Sequence, residues 1–154
     1  GEEKSAMFDT IDFCDSLLPK DRPRYLMGVG KPTDIVRAIR LGVDMFDCVM
    51  PTRNGRNGQI FTSDGTVNIT NGKYKNDHSP IDENSTHAYG RMFTKSYVRH
   101  LFNVKEILGL RIASTLNISY YISLTKKIQE TIQSGEFDAW SNSWLSNMKL
   151  KKGM

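Results

Sequence analysis

Apolar and polar positions alternate with different periods along the chain. Residues 2–18 mix charge with an apolar set of Met7, Phe8, Ile11, Phe13, Leu17 and Leu18, which predicts a helix running into a loop. Pro19-Lys20-Asp21-Arg22-Pro23 is a turn, because two prolines fix φ and remove backbone donors. Tyr25-Leu26-Met27-Gly28-Val29 is a short apolar run, long enough for a buried strand. Gly30-Lys31-Pro32-Thr33 leads into a helix, with Thr33 as the expected N-cap and Asp34 in the first turn. Ile35, Val36, Ile39 and Leu41 supply its buried face, and Gly42 its C-terminal stop. A second apolar run, residues 45–50, is interrupted by Asp47 and closed by Pro51. Strand, helix and strand in this order predict a βαβ unit, whose parallel strands are apolar because both faces are covered.

Residues 52–58 are polar and turn-rich, which predicts a loop. Residues 59–63 and 66–70 alternate apolar with polar around Asp64-Gly65, a strong hairpin signal. Residues 71–87 are polar and irregular. The rest is helical. Phe93, Tyr97 and His100 recur on one helical face, a second helix is expected over 105–115, and a third begins near Asn117 and stops at Ser134-Gly135. A last amphipathic piece carries Phe137, Trp140, Trp144, Leu145 and Met148, and ends in the basic tail Lys149-Leu150-Lys151-Lys152, expected to fray. The Trp140/Trp144 spacing suits helix packing.

Composition narrows the class. The 154 residues are 38% hydrophobic and 25% charged, which fits a globular chain of one domain and excludes disordered and collagenous classes. No run approaches the ~18 apolar residues of a transmembrane helix. Cys14 and Cys48 are too few for a disulfide framework, so the expected setting is a reducing cytoplasm. The N-terminus has neither an apolar signal segment nor an initiator Met, so the chain is expected to begin part-way through something larger. A net charge of +4 permits a nucleic-acid partner without requiring one.

The sharpest chemistry is Asp47 in an apolar strand, followed by Pro51-Thr52-Arg53-Asn54-Gly55-Arg56-Asn57-Gly58. A carboxylate at the C-terminal end of a barrel strand is where catalytic groups project. Paired arginines suit phosphates, and the glycines let backbone approach a ligand. Taken alone, the residues also allow Asp47 to be a cap or ion-pair partner, and Arg53 and Arg56 to be solvated loop residues.

The stretches Arg24-Tyr25-Leu26-Met27-Gly28-Val29-Gly30-Lys31-Pro32 and Met45 to Gly58 closely resemble the tRNA-guanine transglycosylases, or queuine tRNA-ribosyltransferases. The resemblance continues through Glu106-Ile107-Leu108-Gly109 almost to the C-terminus. It implies an α/β fold: the last two strands of a (β/α)8 barrel over 1–58, then a β-hairpin and helical subdomain over 59–154, together one partial domain. It implies exchange of guanine at the wobble position of a tRNA anticodon for a 7-deazaguanine, preQ1 or queuine, in queuosine biosynthesis. Asp47 would be the nucleophile that forms a covalent ribose intermediate. Arg53 and Arg56 would hold the anticodon loop, and Tyr25, Met27 and Gly28 would wall the base pocket; for Met27 a core position is the other reading.

The same resemblance implies departures. Gly1-Glu2 looks like the end of the family's Gly-Leu-Ala-Val-Gly-Glu segment, so roughly six barrel strands and the general acid/base Asp are expected to be lacking, and the chain to be inactive alone. The family's Cys-x-Cys-x-x-Cys and later His, a tetrahedral zinc site, fall here on Ser85, His87, Gly90 and Leu116, so no zinc is expected; His78 could only nominally join His87. Phe93, Tyr97 and His100 match a face that pairs subunits in bacterial members, against the alternative of an intramolecular core face. A non-catalytic module that binds RNA or pairs with another subunit is the competing reading.

Overall fold

The computed structural model describes residues 3–150, and they form two units that divide between Val49 and Met50. Predictions for Gly1-Glu2 and for Lys151 onward lie outside the described residues.

In the first unit, helix α1 (Lys4–Asp15) precedes strand β1 (Tyr25–Leu26), helix α2 (Pro32–Arg40) and strand β2 (Met45–Phe46). The strands pair in parallel, Tyr25 opposite Met45 and Leu26 opposite Phe46, so the βαβ order is realised. They are shorter than the apolar runs predict. The sheet has two strands among the described residues, and Tyr25, Met27 and Met45 are exposed rather than buried. An apolar run becomes a doubly covered strand only where other elements pack on both of its faces.

The small core of this unit joins Ile11 of α1, Ala38 of α2 and Val43, with Phe8, Leu26 and Phe46 packed around them. Thr33 is not the cap of α2. Lys31 holds that position with no side-chain bond, and Pro32, whose φ is already helical, starts the helix. Asp34 is buried and paired with Lys4, which ties α1 to α2. Arg24 fastens the other end: its guanidinium pairs with Asp15 and donates to the Asp15 and Leu18 carbonyls at 3.3 Å.

The second unit begins with helix α3 (Met50–Arg56), where the sequence predicts a loop. Tertiary packing overrides the weak local propensity. Pro51 lies in its first turn, and Gly55 is buried so closely that a Cβ there would lie 2.8 Å from the Ser114 Cα. Gly55 therefore serves contact with another helix, not a ligand. The predicted hairpin forms from β3 (Gln59–Thr62) and β4 (Gly65–Asn68), antiparallel, with Ser63-Asp64 as the turn and Gly65 already paired with Thr62. Gly65 has φ of 113°, which only glycine adopts without strain.

Helices α4 (Ala88–Met92) and α5 (Lys95–Asn103) follow the irregular segment, which contains one 3₁₀ turn at Gly72–Tyr74. Phe93 is in neither helix. It is extended between them, with its carbonyl accepting from the Ile81 N–H at 3.1 Å. The two helices predicted over 105–132 are one, α6 (Ile107–Gln133). Asn117, read from sequence as a helix start, lies fully buried inside it. Its carboxamide bonds to other elements instead of competing for its own helix backbone, so it does not break the helix. Helix α7 (Phe137–Leu150) ends the described chain, with Trp140 and Trp144 stacked at 5.9 Å. The core joins Ile60, Ile69, Ile81, Val98, Leu101, Ile112, Ala113 and Leu116. No helix among the described residues is long and apolar enough to cross a membrane.

Candidate functional site

Asp47 directly follows β2 and is exposed at the C-terminal end of the parallel pair. Its Oδ1 accepts from the Tyr25 hydroxyl at 2.7 Å and from the Gly28 N–H at 2.8 Å. The donors come from the end of the neighbouring strand, so parallel pairing of β1 with β2 assembles the cluster. Gly28 has φ of 71°, which turns the chain sharply after the strand and aims its N–H at the carboxylate. A Cβ at Gly28 would meet nothing within 4 Å, so conformation rather than crowding selects glycine there.

These bonds act on the charge of the group. The Gly28 N–H first, then the Tyr25 hydroxyl, hold the Asp47 carboxyl below its ordinary pKa of 3.8. The same carboxylate, as hydrogen-bond acceptor and as a nearby negative charge, pushes the Tyr25 phenol above its ordinary 10.0. At neutral pH Asp47 is an oriented carboxylate with both bonds on one oxygen, and Tyr25 is a neutral donor. Such a group is suited to nucleophilic attack and unsuited to proton donation. Met27 is 75% exposed beside this cluster in sequence, so it is not a core side chain of its unit.

Arg53 and Arg56 are exposed in the last turn of α3. Three residues apart on a helix, they share a face and stand where cations favour the helix dipole. Together they offer two planar, permanently charged donors to an anion.

At the four positions that the resemblance aligns with zinc ligands, the donor chemistry does not make a tetrahedral site. His87 caps α4, its Nδ1 accepting from the Tyr89 N–H at 3.2 Å, and its ring stands edge-on to Tyr89. Ser85 Oγ accepts from the His87 N–H at 3.2 Å. Gly90 packs against Ser85 so tightly that a Cβ there would lie 2.3 Å from the Ser85 Cβ. Leu116 is a core side chain, 3% exposed. A glycine and a leucine offer no ligand, and a neutral hydroxyl is a poor one for zinc. Among the described residues no three His, Cys, Asp or Glu side chains are grouped to hold a metal ion. The segment is fixed by other means: Asp82 accepts from the Ser63 N–H at 2.9 Å, the Ser63 hydroxyl at 2.7 Å and the Asn84 N–H at 3.0 Å.

Phe93 and Tyr97 stack at 5.7 Å, but Phe93 leans on the core while Tyr97 and His100 are exposed. The three do not share one helix. Asn117 was not singled out from the sequence as a site residue. The signal that marks it is a lone amide flanked in the sequence by Leu116 and Ile118.

The fold of the first unit and its oriented carboxylate define a class: an α/β chain with an ionised acid at the C-terminal end of parallel strands, where such folds carry their chemistry. Comparison with known proteins makes this specific. Residues 1–150 match the family described as queuine tRNA-ribosyltransferase. The chain is 48% identical over 149 residues to the queuine tRNA-ribosyltransferase of Francisella tularensis subsp. novicida (strain U112), covering 97% of this chain and 41% of that protein. It is equally similar to that of Francisella tularensis subsp. tularensis (strain WY96-3418). The Caulobacter vibrioides protein of that name is 49% identical over 138 residues, covering 90% of this chain and 37% of its own length. The chain belongs to the queuine tRNA-ribosyltransferase family. It spans less than half the length of these relatives.

Proposed function

We propose that this chain carries the nucleophile and part of the RNA grip of an enzyme that exchanges guanine in the tRNA anticodon for a 7-deazaguanine. The observation that supports this most is the Asp47 carboxylate, ionised and oriented through Oδ1 by Tyr25 and Gly28. With Oδ1 held by two donors, Oδ2 is the oxygen that attacks C1′ of the ribose. A C1′–oxygen bond forms, the C1′–N9 bond breaks, and guanine departs with the electron pair. The incoming base then displaces Asp47 through its own nitrogen as the C1′–Oδ2 bond breaks, and the proton that this nitrogen gives up balances the one that guanine takes up. One difficult substitution becomes two easier ones, as in retaining glycosidases. Met27 and Gly28 wall the base pocket, and Arg53 and Arg56 grip phosphates of the anticodon loop, which fits the net charge of +4.

The 154 residues alone do not turn over in this reading, because the relatives carry well over half of their length elsewhere. The segment around His87 holds without zinc. The test is an adduct assay on the chain joined to the remaining part of a relative's barrel. A covalent tRNA–protein band stable to denaturant is expected, and Asp47→Asn abolishes it, with at least ~10³-fold loss of exchange, while tRNA binding is largely retained. An adduct that survives Asp47→Asn would refute the assignment.

A further inference from the structure

Asn117 is fully buried on α6, and its carboxamide uses both its donor and its acceptor ends. Nδ2 donates to the Pro51 carbonyl and to the Gln59 carbonyl, each at 2.9 Å. Oδ1 accepts from the Phe61 N–H at 2.8 Å. One side chain thus joins the first turn of α3 to two residues of β3. Its neighbour one turn earlier on α6, Ser114, is the residue against which Gly55 is pressed. Helix α3 is therefore pinned at two points one turn apart, Pro51 and Gly55. On a helix these share a face, and Arg53 and Arg56 fall on the opposite one. A third tie, from Asn54 Nδ2 to Gln59 Oε1 at 2.6 Å, closes the same joint.

We infer that Asn117 is a positioning residue: it sets the rotation of α3 on α6 and so aims Arg53 and Arg56 outward at a phosphate backbone. The inference rests on the proposed RNA grip and names what orients it. The chemistry of the position is restrictive. Two carbonyls need donors and one N–H needs an acceptor, which only a carboxamide supplies in one small side chain. Leucine would remove all three bonds from these part-buried backbone groups, and aspartate would set its negative charge against two carbonyl oxygens.

The test measures binding of a stem–loop RNA to the 154-residue chain over a range of salt. Asn117→Asp, and Asn117→Ala which removes the donors without adding charge, are compared at equal folded fraction, determined by melting. Each is made with and without Arg53→Ala and Arg56→Ala, and Lys73→Ala serves as a cation away from α3. Asn117→Asp is expected to weaken binding about 10-fold and to lower the salt slope by about 1–2. The arginine substitutions then cost little further in that background, whereas Lys73→Ala costs the same in both. A general loss of stability would not remove the arginine effect selectively. Undiminished arginine effects in both Asn117 backgrounds overturn the inference and leave the RNA grip standing. Arginine substitutions without effect in the otherwise unchanged chain overturn the grip, and the inference with it. A measurement that needs no variant is hydrogen exchange of the Asn117 side-chain amide. Protection of at least ~100-fold over a free side-chain amide is expected, and exchange at the rate of a free amide overturns the inference.

Discussion

At the scale of the residue, the state of Asp47 is set chiefly by two donors on one oxygen. Both favour the charged form, so its protonation lies below the ordinary carboxylate range and the acid limb of any Asp47-dependent reaction falls there too. Tyr25→Phe removes one donor and leaves the stronger one, Gly28. The acid limb of adduct formation should therefore move to higher pH, toward the ordinary value, with roughly 10-fold loss of rate from the looser carboxylate. A pH–rate profile checks this, and an unchanged limb would count against the tyrosine's part. Asp47 itself was legible in the sequence as the one charge that interrupts an apolar run, although the residues alone left a cap or an ion pair open. Its partners were less legible. Tyr25 and Gly28 are about twenty residues away, and parallel pairing brings them together.

At the scale of the element, α3 and α6 show where local signals fail. The segment Thr52–Gly58 has the composition of a loop, and its helix exists because Gly55 lets two backbones meet and Asn117 takes up the Pro51 carbonyl. Gly55→Ala should raise helix propensity by about 1 kcal/mol and still destabilise the second unit by roughly 1–3 kcal/mol. The reason is that the added methyl meets main chain at 2.8 Å, which cannot rotate away. Denaturant titration measures the net sign, and a more stable variant would mean that the helices separate freely. The α2 helix, the hairpin and the irregular segment were legible because each depends on neighbours in sequence. The Thr33 cap was misread because Pro32 moves the helix start ahead of it. Phe93 was misread because its main chain pairs with Ile81, a contact no periodicity reports.

At the scale of the whole molecule, two consequences follow for stability. Tyr120 is held neutral by burial, with the Asp82 charge adding to it, and its pKa is raised from 10.0 to about 12. A raised folded-state value means stability that is complete below pH 10 and lost as pH climbs toward 12, because only the unfolded chain releases this proton early. Unfolding followed between pH 9 and 12 should show this loss, and Tyr120→Phe should flatten it. The second consequence concerns metal. With Gly90 against Ser85, Leu116 in the core and Asp82 bonded to Ser63, the melting temperature is expected to be unchanged by a strong chelator. A drop in melting temperature restored by zinc alone would overturn the zinc-free reading.

The sequence by itself determined the family, the βαβ order, the hairpin and the odd carboxylate. Each is written in contiguous residues or in spacings that secondary structure repeats. Only the tertiary structure decided that Asp47 is oriented through Oδ1, that residues 50–56 are helical and that Asn117 belongs to the middle of one long helix. Those outcomes depend on groups distant in sequence, where an unpaired buried polar atom costs more than local propensity can repay.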